Sequence, residues 1–174
     1  MIKAIETHYK GYRFRSRLEA RWAVFLDALD LEWQYEVEGF ELSNGERYLP
    51  DFLLPKFNGG IYVEVKPDEL RWQDIERILK SKVGRFCRES YKRVLVVSGP
   101  PDCVPYHLVG NGETGNSSLH LLVNFCDRYL KPGTEFDTYR LPSNEYDWSA
   151  EANPIVWDAV CVARSARFEF GENG

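Results

Sequence analysis

Cysteine, histidine and methionine are scarce in this chain, and positive charge does not dominate it. Four cysteines (Cys87, Cys103, Cys126, Cys161) occur in 174 residues without a single C-x-x-C pair, so a zinc or iron–sulfur centre has no ligand pattern to rest on. They read as buried free thiols of a reducing compartment. The three histidines, His8, His107 and His120, lack an H-x-x-x-H or E-x-x-H companion, which sets them aside as ligands. Ser98-Gly99-Pro100-Pro101 lacks the glycine spacing and lysine of a phosphate loop. No apolar run approaches the ~18 residues of a bilayer span, nothing at the start reads as a secretory signal, and there is no internal repeat or low-complexity tract. The expectation is one domain over residues 1–174, cytoplasmic, with no membrane partner.

With 44% hydrophobic and 28% charged residues the chain is an ordinary globular one rather than a disordered one. Five Trp, ten Tyr and ten Phe suit core packing and base stacking alike. The net charge of −5 argues against a generic nucleic-acid coat, yet it hides an asymmetry. Residues 1–24 carry Lys3, Lys10, Arg13, Arg15, Arg17 and Arg21 against Glu6 and Glu19, net +4. From Val94 to Ala163 the balance is net −6. Such segregation points to one face for a polyanion, with the acidic stretch as a solvated or protein-binding surface.

Hydrophobic spacing orders the elements. "SRLEARWAVFLDALD" (16–30) repeats Leu18, Trp22, Phe25, Leu26 and Leu29 at helical intervals, with Ser16 as N-cap and Glu19 completing a capping box. "LEWQYEVEGFEL" (31–42) alternates like a half-buried strand, and "NGER" (44–47) signals a hairpin turn. "YLPDFLLP" and "IYVEVK" follow as strands joined through "KFNGG". Pro67 ends the second of these, and Asp68 can cap a long helix from about Glu69 to Ser90. "RVLVVSG" (93–99) reads as a strand buried on both faces. Beyond Gly99 the pattern thins to a candidate strand at 119–124 and a terminal helix over 154–168, with Asn153 as its cap. The order up to Gly99 is α-β-β-β-α-β.

Within that order sits an unusual pair of strands. Glu64 and Lys66 share a face because strand side chains alternate. Folding back about "KFNGG" sets Asp51 opposite Val65 or Glu64. The surrounding Leu49, Phe52, Leu53, Leu54, Ile61, Tyr62, Val63 and Val65 leave little room for a solvent face, and buried charge demands a partner or a cation. Two hard carboxylates suit Mg²⁺ or Mn²⁺. Lys66 can then orient a water or offset charge building on phosphorus. The competing account is a surface ion pair on a solvated hairpin, worth about 0–1 kcal/mol.

The run Pro50-Asp51 … Glu64-Val65-Lys66, in this element order, resembles the PD-(D/E)XK nuclease superfamily. With "GYRFRSRLEARWAVFLDAL", "YEVEGFEL", "YLPDFLLP" and "VEVKP", residues 11–99 look like its small phage-type and transposon-type endonucleases. The resemblance implies an α/β, restriction-endonuclease-like fold with a mixed sheet flanked by helices, and it leaves residues 100–174 as a C-terminal extension of no assigned kind. It implies a metal-dependent endonuclease acting on DNA, duplex or branched, in a bacterial or phage-infected cell. Asp51, Glu64 and the Val65 backbone carbonyl are then the ligands of Mg²⁺ or Mn²⁺, and Lys66 positions or activates the attacking water. Glu19 helps hold a metal or water, although its capping-box spacing offers a purely structural role compatible with that one.

Lys10, Arg13, Arg15 and Arg17, interleaved with Tyr12 and Phe14, are the expected phosphate-binding residues; a solvated edge strand is the plainer reading. The mixed-charge helix carrying Arg71, Arg77, Lys80, Lys82, Arg85 and Arg88 reads first as an exposed face. Cutting both strands of a duplex requires two sites, hence an expected homodimer. The rivals are a non-cleaving DNA-binding or assembly protein on the same fold, and a nuclease acting on RNA or only within a recombination complex.

Overall fold

The structure, a computed structural model, describes residues 5–57, 59–67, 75–101, 106–111, 117–122 and 154–168. It begins with a hairpin, β1 (Thr7–Tyr9) and β2 (Tyr12–Phe14), turned through Lys10 and Gly11, both at positive φ. Helix α1 (Arg17–Ala28) follows as its spacing predicts. Ser16 Oγ accepts from the Glu19 amide at 3.2 Å and donates to Glu19 Oε1 at 2.8 Å, so the start is fastened by a side-chain cap. Its apolar stripe, including Trp22, Ala23, Phe25 and Leu26, is buried.

The expected strand over 31–42 is instead two short pieces in different sheets. Strand β3 (Gln34–Tyr35) ends where Glu36 adopts φ 45°, outside any pleat, and its amide donates to the Asp51 carbonyl at 2.9 Å. The chain then enters a separate hairpin of β4 (Phe40–Glu41) and β5 (Arg47–Tyr48), whose turn places Gly45 at φ 81° as the "NGER" signal requires. "YLPDFLLP" is divided likewise. Tyr48 closes β5, and β6 (Phe52–Leu54) starts after Pro50, which has no amide to give a ladder. Strand β7 (Ile61–Lys66) runs antiparallel to β6.

The single long helix expected up to Ser90 is also two: α2 (Ile75–Lys80) and α3 (Lys82–Ser90). Ser81 separates them, donating to the Ile78 carbonyl at 2.6 Å and accepting from the Val83 amide at 3.2 Å. The capping role of Asp68 falls outside the described residues. Gly84 explains how closely the two helices meet, since a Cβ there would lie 2.1 Å from the Leu79 carbonyl oxygen. Gly84→Ala is expected to destabilise the protein by about 3 kcal/mol, because backbone rather than a side chain must yield; a urea titration with an unchanged midpoint would contradict this.

Strand β8 (Arg93–Ser98) lies parallel to β7, and β9 (Tyr106–Asn111) and β10 (Ser117–Leu122) extend the sheet antiparallel. The order is β10-β9-β8-β7-β6-β3. Strand β9 had no clear signal, and the expected strand at 119–124 begins earlier. Helix α4 (Pro154–Ser165) stops short of the expected end, and Asn153 lies outside the described residues.

The result is a mixed α/β protein with helices on both faces of a mixed sheet. Ile61, Val63, Leu95 and Val97 pack with α1 and with Ala159, Val160 and Ala163 of α4. Tyr62, Val94 and Val96 pack with Val83, Phe86 and Cys87 of α3. The prediction that β8 is buried on both faces is thereby met. Gly99 ties the layers at the end of the parallel pair: its amide donates to the Lys66 carbonyl, and its carbonyl accepts from Trp22 Nε1, each at 2.9 Å. Among the described residues no helix is long and apolar enough to cross a membrane.

Candidate active site

Cross-strand pairing brings the two carboxylates together. Phe52 stands opposite Val63, so Asp51, the residue before β6, falls opposite Glu64, and the Asp51 amide donates to the Val63 carbonyl at 3.0 Å. Beyond that bond β6 has ended, and the Asp51 side chain takes over the ladder: Oδ2 accepts from the Val65 amide at 2.7 Å. A residue's N–H and C=O leave a strand on the same side, so the Val65 carbonyl faces the edge that Asp51 occupies. Asp51 and Glu64 are each 5% exposed; with Thr7 they are the buried polar or charged residues among those described. A surface ion pair on a solvated hairpin is therefore excluded for the two acids.

Each acid has protein partners. Glu64 Oε2 accepts from the Tyr48 hydroxyl at 3.0 Å, and Oε1 pairs with Lys66 Nζ at 2.5 Å. Tyr48 is wholly buried on Phe86, with Lys82 Nζ 5.3 Å from its ring centre. Asp51 Oδ1 is met by Arg15 Nη2 at 2.5 Å. The same guanidinium reaches Glu36 Oε1 from Nε at 2.6 Å and lies 3.9 Å from Glu19 Oε2.

Glu19 takes up the expected capping role and also lies beside Arg15 at the pocket. It completes the α1 cap, and its Oε2 accepts from the Tyr35 hydroxyl at 2.5 Å and the Arg15 amide at 3.2 Å. Burial, then the bond to Glu19, pushes the Tyr35 phenol up; burial, then the charge of Glu64, does so for Tyr48. Both phenols stay protonated and serve as donors to carboxylates.

Asp51 carries the clearest electrostatic signature. Burial, then the negative charge of Glu64, raises its pKa to about 7, with the Val65 N–H and Arg15 pulling the other way. Two acids in one buried pocket resist double ionisation, and a cation relieves that. No group of three or more His, Cys, Asp or Glu side chains able to hold a metal occurs among the described residues. The expected donors Asp51, Glu64 and the Val65 carbonyl form a smaller set whose hard oxygens fit Mg²⁺ or Mn²⁺, which keep several waters. Glu19, the further ligand expected, does not join them in a three-acid group.

Of the expected phosphate-binding residues Arg15 lies in this pocket, and Lys10, Arg13 and Arg15 are already engaged. Lys10 Nζ pairs with Asp27 at 2.9 Å, Arg13 with Glu6, and Arg15 with the acids above, while Arg17 is exposed at the first position of α1. Phe14 is fully buried among Tyr35, Trp33 and Phe52, so of the two interleaved aromatics Tyr12, 38% exposed, is the one open to a base. In α3, Arg85 lies 3.8 Å from Glu46, and Arg88 donates to the Leu79 carbonyl. Lys82 and Arg88 are exposed as expected, but Arg85 is half-buried and its acid is Glu46 of the β4–β5 turn rather than a neighbour on the helix. Arg71 lies outside the described residues.

Sequence reasoning missed Tyr35, Glu36 and Tyr48. A signal existed for the tyrosines, since a phenol on the inward side of an alternating strand must find a hydroxyl partner. Glu36 had none. No protein-family model matches the chain, and no curated protein matches it.

Proposed function

We propose that this chain is a metal-dependent nuclease with a restriction-endonuclease-like core, hydrolysing phosphodiester bonds of DNA. The carrying observation is the pair of buried carboxylates, Asp51 and Glu64, side by side where β6 gives way, with Lys66 on Glu64 and Arg15 linking Asp51 to Glu19. The element order supports it: α1, then β3, β6 and β7, then α2 and α3, then β8 parallel to β7. Asp51, Glu64 and the Val65 carbonyl would hold the ion, with Glu19 assisting. When bound, Mg²⁺ or Mn²⁺ supplies Lewis acidity toward a phosphate oxygen and a more acidic water.

The side chains do the rest. Lys66, about one-third exposed, donates to the attacking water and offsets charge building on the phosphate. The water oxygen bonds to phosphorus as the bond to the leaving sugar oxygen breaks on the opposite side, the proton of the attacking water passing to bulk water and bulk water protonating the leaving oxygen. Tyr48 fixes the Glu64 carboxylate, and the Val65 amide fixes Asp51. Lys10, Arg13, Arg15 and Arg17 take backbone phosphates, exchanging ion pairs that are worth about 0–1 kcal/mol where exposed. Two copies of the chain supply one site per strand of a duplex.

A second reading has its own observation. All four oxygens of Asp51 and Glu64 have protein partners, so the network can also stand as a closed structural clasp in a DNA-binding protein that does not cleave. Incubation with supercoiled, linear, single-stranded and four-way-junction DNA and with RNA, in Mg²⁺, Mn²⁺ or EDTA, separates the two. A metal-dependent product lost in Asp51→Ala and Lys66→Ala is expected. Absence of product on every substrate favours the clasp, and product surviving Asp51→Ala overturns this site.

Salt gives an independent check. Four phosphate contacts predict a slope of about −3 to −4 for log binding constant against log salt concentration, and Arg17→Ala reduces it by about 1. A flat salt dependence would remove these residues from the DNA face.

A further inference from the structure

Arg15 occupies an odd position for a phosphate-binding residue. Its side chain is 55% exposed, yet its guanidinium seals Asp51, whose side chain is 7% exposed. The backbone on which it turns is held: the Arg15 amide donates to the Tyr35 hydroxyl at 3.1 Å and to Glu19 Oε2 at 3.2 Å. Glu36, at a positive φ unusual for its type, adds a third acid to the guanidinium. A fixed backbone, a half-exposed charged head and a buried carboxylate beneath it make a movable cover with two stations.

We propose that Arg15 is a positioning residue that couples phosphate binding to loading of the divalent cation at Asp51, an inference resting on the nuclease reading above. Without DNA, the guanidinium stands as the counter-charge of Asp51 and excludes a metal ion from Oδ1. A phosphate oxygen from the backbone of DNA offers the planar fork an alternative, bidentate partner. Once Arg15 moves to it, Asp51 is left buried beside Glu64 with no counter-charge, and its affinity for a divalent cation rises. Linkage makes the effect reciprocal, so the cation favours the phosphate-bound position of Arg15 by the same factor. No bond is made or broken. The consequence is a site that holds its ion weakly until the substrate backbone is in place.

The test is Mn²⁺ binding to the intact chain, followed by calorimetry and by the electron paramagnetic resonance of free Mn²⁺, with no nucleic acid and no turnover. Sulfate serves as the phosphate-like anion, against chloride at equal ionic strength. Wild type is expected to bind Mn²⁺ about five- to tenfold more weakly than Arg15→Ala, the lower end of ordinary coupling between two sites. Sulfate should tighten the wild type several-fold and leave Arg15→Ala unchanged. Arg15→Gln is measured beside it, with circular-dichroism melts, so that misfolding of one variant does not decide the matter. Lys56→Ala removes one positive charge from the far end of β6 and should alter Mn²⁺ affinity less than about twofold. Equal Mn²⁺ affinity in wild type and Arg15 variants, or an equal sulfate effect in both, overturns the coupling and leaves the nuclease reading intact. Mn²⁺ binding that is absent from all of them, or that survives Asp51→Asn, overturns the metal site itself and the coupling with it.

Discussion

Asp51→Asn is expected to abolish cleavage, by about 10³-fold or more, while making the protein more stable at pH 8. The first effect follows from removing a hard anionic ligand whose amide replacement binds Mg²⁺ far less well. The second follows from burial. Asp51 titrates near 7, well above an ordinary aspartate, because its carboxylate is buried and stands beside Glu64. The native state thus holds a proton that the unfolded chain releases near pH 4, and stability falls as pH rises through the window from about 4 to about 7. Above it, the folded protein carries the full cost of an ionised, buried Asp51.

Asparagine removes that cost and can still accept from the Val65 amide, although it forfeits the pairing with Arg15. A net gain of about 1–3 kcal/mol at pH 8 is expected, shrinking toward zero near pH 4. For a chain of this size that is several degrees in melting temperature. Thermal melts of both proteins across that range test it. A variant that melts below wild type at pH 8 would contradict the electrostatic account, and one that cleaves at the wild-type rate would contradict the catalytic one.

Glu19→Gln is expected to separate the two roles of that residue. Ser16 Oγ receives the Glu19 amide whatever the side chain is, and a glutamine at this position still closes a capping box. Its carbonyl can accept from the Tyr35 hydroxyl in place of the carboxylate. Stability should therefore stay within about 0.5–1 kcal/mol of wild type. Cleavage should fall by about 10²-fold, since the negative charge facing Arg15 and Asp51 is gone. Glu19→Ala should lose both the box and the activity. Full activity in Glu19→Gln would make Glu19 a cap and nothing more.

How much of this was legible in the chain depends on how local the cause is. Helix α1 was, because its stripe and its Ser16–Glu19 cap lie within a few residues of one another. So was the meeting of Asp51 with Glu64, since a turn at "KFNGG" and period-two alternation suffice to bring them face to face. The breaks at Glu36 and Pro50 were not. Glu36 takes a left-handed conformation with its amide bonded to the carbonyl of Asp51, a residue fifteen positions away and just before β6. Ser81 was readable as a cap only once the carbonyl of Ile78 was known to end there. Strand β9 lies in an acidic stretch with no clean alternation, and pairing with β8 and β10 defines it. Arg15 was expected at a phosphate; its contact with Asp51 depends on how α1 sits on the sheet, which no spacing encodes.

Crystals soaked in MnCl₂ with sulfate present give the most direct measurement. An anomalous peak is expected within about 2.0–2.6 Å of oxygens from Asp51 and Glu64, with Arg15 turned away from Asp51. A map with no peak, in which Arg15 and Lys66 still clasp the two acids, would contradict the metal centre on which the proposed chemistry depends.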